Sequence, residues 1–302
     1  MDEIRFDDQV VVITGAGSGI GRAYAHAFAA RGAQVVVNDL GGRRDGTGDA
    51  HGAADKVVEE LAAYGGQAVA SYDSVATLQG GESIIATAEA HFGRVDVLVN
   101  NAGVLRDKSL LKMVEEDWDT VVNVHLKGAF CVSRAAFALM KKSGYGRIIN
   151  TTSGSGLYGN FGQAAYMAAK MGVVGLMHSL ASEGAKYNVT CNTIAPVAAS
   201  RMTDDVMPPE LLEKFKPEFI APLVLFLASR ENQETGMIFN CAAGWFSRSA
   251  ICCAPGLCIG DTKRTIPPEE IREHWEAITS LADAAPLNSV IDSFGFMEPL
   301  IR

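Results

Sequence analysis

QVVVITGAGSGIG, running from Gln9 to Gly21, reads as a buried strand that breaks directly into a glycine turn. The run Val10 to Ile13 suits a strand covered on both faces. Glycines at 15, 17, 19 and 21 let the backbone approach a pyrophosphate, and the helix predicted over Ile20 to Arg31 turns its N-terminus toward that charge. The following strand lies in AQVVVNDL and ends at Asp39, eighteen residues after Gly21, close to the spacing at which an acid meets an adenosine ribose. A carboxylate there accepts hydrogen bonds from both ribose hydroxyls and repels a 2′-phosphate, so the expected cofactor is NAD rather than NADP. Arg43 and Arg44 follow within reach of a phosphate, but in GGRRDGTGDAHG they read as solvated charges on an exposed loop.

The alternation continues outward. A helix is expected over Ala53 to Tyr64, a strand in QAVASYD, a helix over Gly81 to Phe92 and a strand over Val95 to Val99. A helix over Glu115 to Leu126 and strands in GRIINTTS, YNVTCNTIAP and GMIFNCAAG follow. Strands and helices alternating at this spacing predict an α/β fold, a doubly wound parallel sheet of about seven strands with helices on both faces and ligands at the carboxyl ends of the strands. One domain is expected, with a core over about 7–244 and a C-terminal extension over about 245–302, where WFSRSAI alternates like a strand and IREHW is amphipathic.

A second stretch carries the chemistry. In AAYMAAKMGVVGLMHSLA, Tyr166 and Lys170 stand four apart and share one face of a helix. An ammonium beside a phenol favours the phenolate and makes tyrosine a usable general base. Ser153, at the end of GRIINTTS, can add a hydroxyl to the same reacting oxygen. Taken alone, a Tyr and a Lys at this spacing are more often surface neighbours than a catalytic pair. The nucleotide-binding order of the rest of the chain changes that weighing.

TGAGSGIG, NNAG and S-x12-Y-x3-K, in this order, resemble the short-chain dehydrogenase/reductase family over roughly Asp7 to Gly244. The resemblance implies a Rossmann-type sheet and an alcohol dehydrogenase with an Asn123, Ser153, Tyr166, Lys170 tetrad, in which Lys170 also binds the nicotinamide ribose and Asn123 supports a water relay. It places the cofactor against Gly15, Ser18, Gly19, Ile20, Gly21, Asp39 and Ser74, with Asp73 and Val75 framing the adenine. Asn101, Ala102, Gly103, Tyr166, Lys170 and Pro196 complete the implied cofactor set. His125 stands two residues beyond Asn123 and reads as structural rather than as a second base. The chain has Pro196-Val197 where the family usually has Pro-Gly, which leaves the local loop open.

More specific stretches, NDLGG, YDSV, NNAG-x-LRDKS, SGLYGNFGQA, SRMT and PPEEIREHW, are similar to the (3R)-hydroxyacyl-CoA dehydrogenase branch. They imply NAD-dependent oxidation of a 3-hydroxyacyl-CoA, a separate hydratase in the same pathway, and a homo-oligomer, dimer or tetramer. A hydroxysteroid dehydrogenase is the alternative within the class, and a non-catalytic NAD-sensing protein the alternative outside it. Arg106, Lys108 and Arg201 are candidate contacts for coenzyme A phosphates, and Leu157, Tyr158, Phe161 and Met202 for the apolar part of the substrate. The segment Ala198 to Lys216 lies where a substrate lid would be.

The bulk numbers exclude other classes. A formal net charge of -9 argues against nucleic acid and against a polybasic membrane anchor. No apolar run spans a bilayer, and MDEIRFDDQ has no signal-peptide core. The six cysteines lack paired metal-site spacing, so no metal is expected and they read as reduced, buried thiols. The terminal PLIR is not a peroxisomal S-K-L address, and a bacterial cytoplasm is the expected home.

Overall fold

The computed structural model describes residues 2–48, 52–199, 208–260, 263–287 and 289–297. Two compact units divide the chain, Met1–Arg248 and Ser249–Arg302.

The first unit is built on the strands β1 (Val10–Thr14), β2 (Gln34–Asn38), β3 (Gln67–Ser71), β4 (Val97–Asn100), β5 (Gly146–Thr151), β6 (Val189–Val197) and β7 (Ile238–Ala242). Their order is β3-β2-β1-β4-β5-β6-β7, all parallel. An eighth strand, β8 (Trp245–Ser249), extends the sheet beyond β7. It is reached through Ala243 (φ 46) and Gly244 (φ 85), the pair of positive φ values that a two-residue hairpin turn needs. The helices are α1 (Gly19–Ala29), α2 (Gly52–Ala62), α3 (Leu78–Phe92), α4 (Glu115–Val122), α5 (Gly128–Ser143), α6 (Gly154–Tyr158), α7 (Ala164–Gly184), α8 (Pro209–Leu212) and α9 (Ala221–Ala228).

Alternation along each strand divides the core between two faces. Val11, Ile13, Val35, Val37, Val97 and Val99 meet Tyr24 and Phe28 of α1, Leu61 of α2 and Val224 of α9 on one side. Val10, Val12, Val36, Leu98 and Ile148 meet Ile84 of α3, Met140 of α5 and Met177 of α7 on the other. Both faces being covered is why the strands read as continuous apolar runs. Strand order reverses between β1 and β4, and their carboxyl ends open a crevice there.

Local departures from the sequence reading have identifiable causes. The expected helix over Glu115 to Leu126 is α4 followed by a wide turn over Asn123–Lys127, in which Gly128 N–H bonds the Asn123 carbonyl five residues back. Such a widened turn re-aims side chains and recurs at functional sites. α3 starts at Leu78 because Thr77 caps it, its hydroxyl accepting from Gly80 N–H. At Pro196-Val197 the chain stays extended, with Pro196 beside Cys241 and Val197 beside Ala242 in β6 and β7.

Among its described residues the second unit has a short antiparallel pair, Cys252–Cys253 with Ala285–Pro286, and short α-helical segments. The helix expected from PPEEIREHW is split at His274 into Pro268–Glu273 and Trp275–Thr279. Arg264 makes a two-pronged ion pair with Glu270 at 2.8 Å. The cysteine expectation holds for Cys131, Cys191 and Cys241, which are buried and free. It fails for Cys252 and Cys258, which are exposed, because none of the described residues in this unit is fully buried.

Candidate active site

The glycine turn is shaped by what stands against it. A Cβ on Gly15 (φ 65) would meet Ala102 Cα at 2.8 Å, and one on Gly17 would meet Asp39 Oδ2 at 2.7 Å. Gly17 N–H donates to Asp39 Oδ2 at 2.8 Å and Gly41 N–H to Oδ1 at 2.7 Å, so the carboxylate is fixed from both sides. Asn101 Nδ2 donates to the carbonyls of Thr14 (3.0 Å) and Gly15 (3.1 Å). Thr14 Oγ1 in turn accepts from Asn101 N–H (3.0 Å) and Ala102 N–H (3.1 Å), locking the ends of β1 and β4 together.

These elements enclose a cleft of about 200 Å³. Gly15, Ser18, Gly19, Ile20, Asp39, Asp73, Ser74, Val75, Asn101, Ala102 and Gly103 all line it. A narrow cradle floored by side-chain-free backbone, facing a helix N-terminus and a fixed carboxylate, suits the diphosphate and ribose of a dinucleotide. Gly21 lies behind it, where a Cβ would strike the Gly15 carbonyl, and Pro196 lies in β6 outside the lining. The lining also includes Asn38, Leu40, Gly42, Gly46, Val104, Thr120 and Val124, which the sequence reading missed, and Arg43 and Arg44, which it set aside. Of these two arginines Arg43 is exposed, as the reading of a solvated loop expects, and Arg44 is half-buried.

Beside the cleft, α7 carries Tyr166 and Lys170 inward. Lys170 is 4 % exposed, and its Nζ donates to the Thr151 carbonyl at 2.7 Å and stands 5.6 Å from the Tyr166 ring centroid. Burial lowers the Lys170 pKa to about 7. Burial also raises the Tyr166 phenol, the Ser153 hydroxyl hydrogen-bonded to it pulls it down, and Asp107 adds to the rise. The expectation that the neighbouring ammonium lowers the phenol is not met: burial of the phenol itself outweighs the Ser153 hydrogen bond, and the net shift is upward. Ser153 caps α6, its Oγ accepting from Ser155 N–H at 3.2 Å.

His125 sits edge-on to Tyr166 with ring centroids 5.1 Å apart, and its Nε2 is 2.7 Å from the Val104 carbonyl and 3.0 Å from Val104 N–H. Burial, with Lys170 nearby, lowers its pKa to about 3, so it stays neutral at physiological pH. Asn123 opens the wide turn that carries His125.

Residues 9–209 match the family described as short chain dehydrogenase. The chain belongs to that family. Its enzymes use a nicotinamide cofactor, which accords with the cleft. The chain is 51% identical over 292 residues to peroxisomal multifunctional enzyme type 2 of Mus musculus, covering 97% of this chain and 39% of that protein. It is 52% identical over 290 residues to peroxisomal multifunctional enzyme A of Dictyostelium discoideum, covering 96% of this chain and 64% of that protein. Among solved structures, full-length peroxisomal multifunctional enzyme type 2 from Drosophila melanogaster superposes with a TM-score of 0.83 at 40% identity, over 99% of this chain and 50% of that one. The chain thus spans only part of the length of these relatives.

Their names overturn the expectation of a cytoplasmic home, since both curated relatives are named peroxisomal. The terminal PLIR carried no weight in that question, because the match covers only 39% and 64% of those proteins.

The substrate candidates divide. Leu157 packs against the core, Tyr158 Oη donates to Asn240 Oδ1 at 3.2 Å, and Phe161 is 89 % exposed. Arg201 and Met202 lie outside the described residues, as do residues 200–207 of the expected lid. Arg106 and Lys108 both have carboxylate partners within the chain. Arg106 Nη1 pairs with Glu116 at 3.0 Å and Asp117 at 3.5 Å, and Lys108 Nζ pairs with Asp117 at 2.8 Å. Sequence could not show this pairing, because the partner carboxylates stand on α4 and meet the loop only in the fold.

Proposed function

We propose that the chain oxidises a (3R)-3-hydroxyacyl-CoA to the 3-ketoacyl-CoA with NAD, through Asn123, Ser153, Tyr166 and Lys170. The observation that carries this reading is the partly buried Tyr166 beside the buried Lys170, with Ser153 on the phenol, next to a glycine-floored cleft. The sequence likeness to (3R)-hydroxyacyl-CoA dehydrogenase domains and the 51% identity to a multifunctional enzyme supply the substrate class. Asp39, fixed by Gly17 and Gly41, supports NAD; Arg43 and Arg44 in the same cleft make NADP the comparison to run.

When bound, the nicotinamide supplies the two-electron acceptor for the hydride leaving C3. Tyr166 Oη takes the hydroxyl proton as the C3–O bond becomes a carbonyl, while Ser153 orients that oxygen. Lys170 supplies the base cheaply in protons: phenol with neutral amine and phenolate with ammonium hold the same number. With the lysine lowered to about 7 and the phenol raised by burial, phenol with neutral amine is the resting form and phenolate with ammonium the reacting one. Asn123, at the wide turn, shapes the helix behind the pair. We further propose one catalytic domain with an appended C-terminal unit, acting as a homo-oligomer and fed by a separate hydratase.

The test is a cofactor-reduction screen of (3R)- and (3S)-hydroxyacyl-CoAs and steroid alcohols, each with NAD and NADP. Turnover of the (3R)-thioester with NAD is the expected result. Steroid oxidation without acyl-CoA oxidation would replace the substrate assignment, and no turnover at all would leave an NAD-sensing protein.

A further inference from the structure

The loop between β2 and α2 is folded against the far wall of the cleft. Arg43 N–H bonds the Thr47 carbonyl at 2.7 Å and Gly46 N–H bonds the Arg43 carbonyl at 2.9 Å, while the Asp45 carboxylate accepts from Thr47 N–H and Oγ1. The loop is thus a closed turn rather than a loose excursion. Two contacts tie it to the segment after β4: Leu105 N–H donates to the Arg44 carbonyl at 2.9 Å, and Arg106 Nε donates to the Asp45 carbonyl at 2.9 Å. Gly46 (φ +84) lies flat on that segment, where a Cβ would stand 3.2 Å from Val104 Cγ1 and 3.5 Å from Thr120 Cγ2. The Arg106 side chain is only 15 % exposed, and its Nη1 is held by Glu116 and Asp117 of α4.

We propose that residues 40–48 are a strap across the dinucleotide cleft, and that Arg106 is the positioning residue that holds it, setting cofactor affinity rather than contacting the substrate. The strap places Arg43 and Arg44 in the cleft wall, where cations complement an anionic diphosphate. Arg106 acts only through it, bridging the Asp45 carbonyl to two α4 carboxylates. The inference rests on the nicotinamide cofactor alone and not on the identity of the alcohol.

Fluorescence titration with NADH and NADPH, without substrate, reads it directly, using the dinucleotide that the wild type binds more tightly. Arg106→Met should raise Kd about five- to tenfold by removing a charge-assisted tie. Arg106→Lys should fall between, since one ammonium cannot span a carbonyl and two carboxylates at once. The paired change Arg43→Ala with Arg44→Ala should also raise Kd, and combining it with Arg106→Met should raise Kd by less than the product of the two effects. A product that is fully multiplicative, or a Kd for Arg106→Met within twofold of wild type, overturns the proposal. Should Arg106→Met fail to fold, Gly46→Val disturbs the same contact from the loop side and must raise Kd; an unchanged value overturns the proposal equally. Failure of every hydroxyacyl-CoA to turn over would sink the substrate assignment while leaving these titrations intact.

Discussion

Replacing Lys170 by methionine should change how folding stability depends on pH, and the structure fixes both sign and size. The ammonium is buried, its Nζ bonded to the Thr151 carbonyl, and its pKa falls from 10.5 to about 7. Between those values the unfolded chain holds a proton that the folded chain lacks, so stability rises with pH through this window and is lowest below it. From pH 7 to pH 9 the wild type should gain roughly 2 kcal/mol from this one group. The groups facing it do not supply the effect: His125 is neutral above about 3, and burial raises Tyr166. Other titrations, including the raised thiols of Cys191 and Cys241, are common to both proteins and cancel in the comparison. The assay is urea unfolding of wild type and Lys170→Met at half-unit steps from pH 6.5 to 9.5, taking the difference in unfolding free energy at each pH. That difference should favour the mutant most at the acid end and shift toward the wild type by about 3 kcal/mol over that range. A difference that stays flat would show a lysine that remains charged in the folded protein, and the proton-exchange account of Tyr166 would go with it.

Tyr166→Phe should leave the cofactor Kd within twofold and lower kcat by about a hundredfold or more, because ring packing survives and the transferable proton does not; retained turnover would reassign the base. Asp39→Ala should narrow the preference for NAD over NADP in paired kinetics, since partner and repulsion leave together; a wild type that already favours NADP would transfer the decision to Arg43 and Arg44. Gly81→Ala should cost about 1–3 kcal/mol, as its Cβ would stand 2.7 Å from the Cys131 carbonyl group where α3 crosses α5; an unchanged Tm would refute that close approach.

Most of the sheet was legible because its strands are buried on both faces, so that VVVIT, VVVN and VLVN announce themselves without tertiary information. The glycine turn and Asp39 were legible for a related reason: backbone approach and a carboxylate at a strand end leave few alternatives. The wide turn at Asn123 was not, since NVHLK continues the helical pattern and only the packing of Gly128, whose Cβ would stand 2.8 Å from Val75, shows how closely α5 must approach. The place of the loop arginines in the cleft was not legible either, because a glycine-rich charged stretch looks solvated until Leu105 and Arg106 are seen to hold it. Thr14 and Asn38 were passed over as strand residues. They prove to be hubs, Asn38 Nδ2 reaching the Asp73 carbonyl at 3.0 Å, and nothing in a local window reports a partner that remote.

The lock between Thr14 and Asn101 joins positions 87 residues apart. It sets an order of events as the chain is made. Strands β1, β2 and β3 can pair as soon as they exist, but β1 keeps one bare edge until β4 emerges, and a bare central edge is an invitation to wrong partners. The dinucleotide cleft comes into being only with that last docking. A cofactor therefore has no site to bind until β4 has docked on β1.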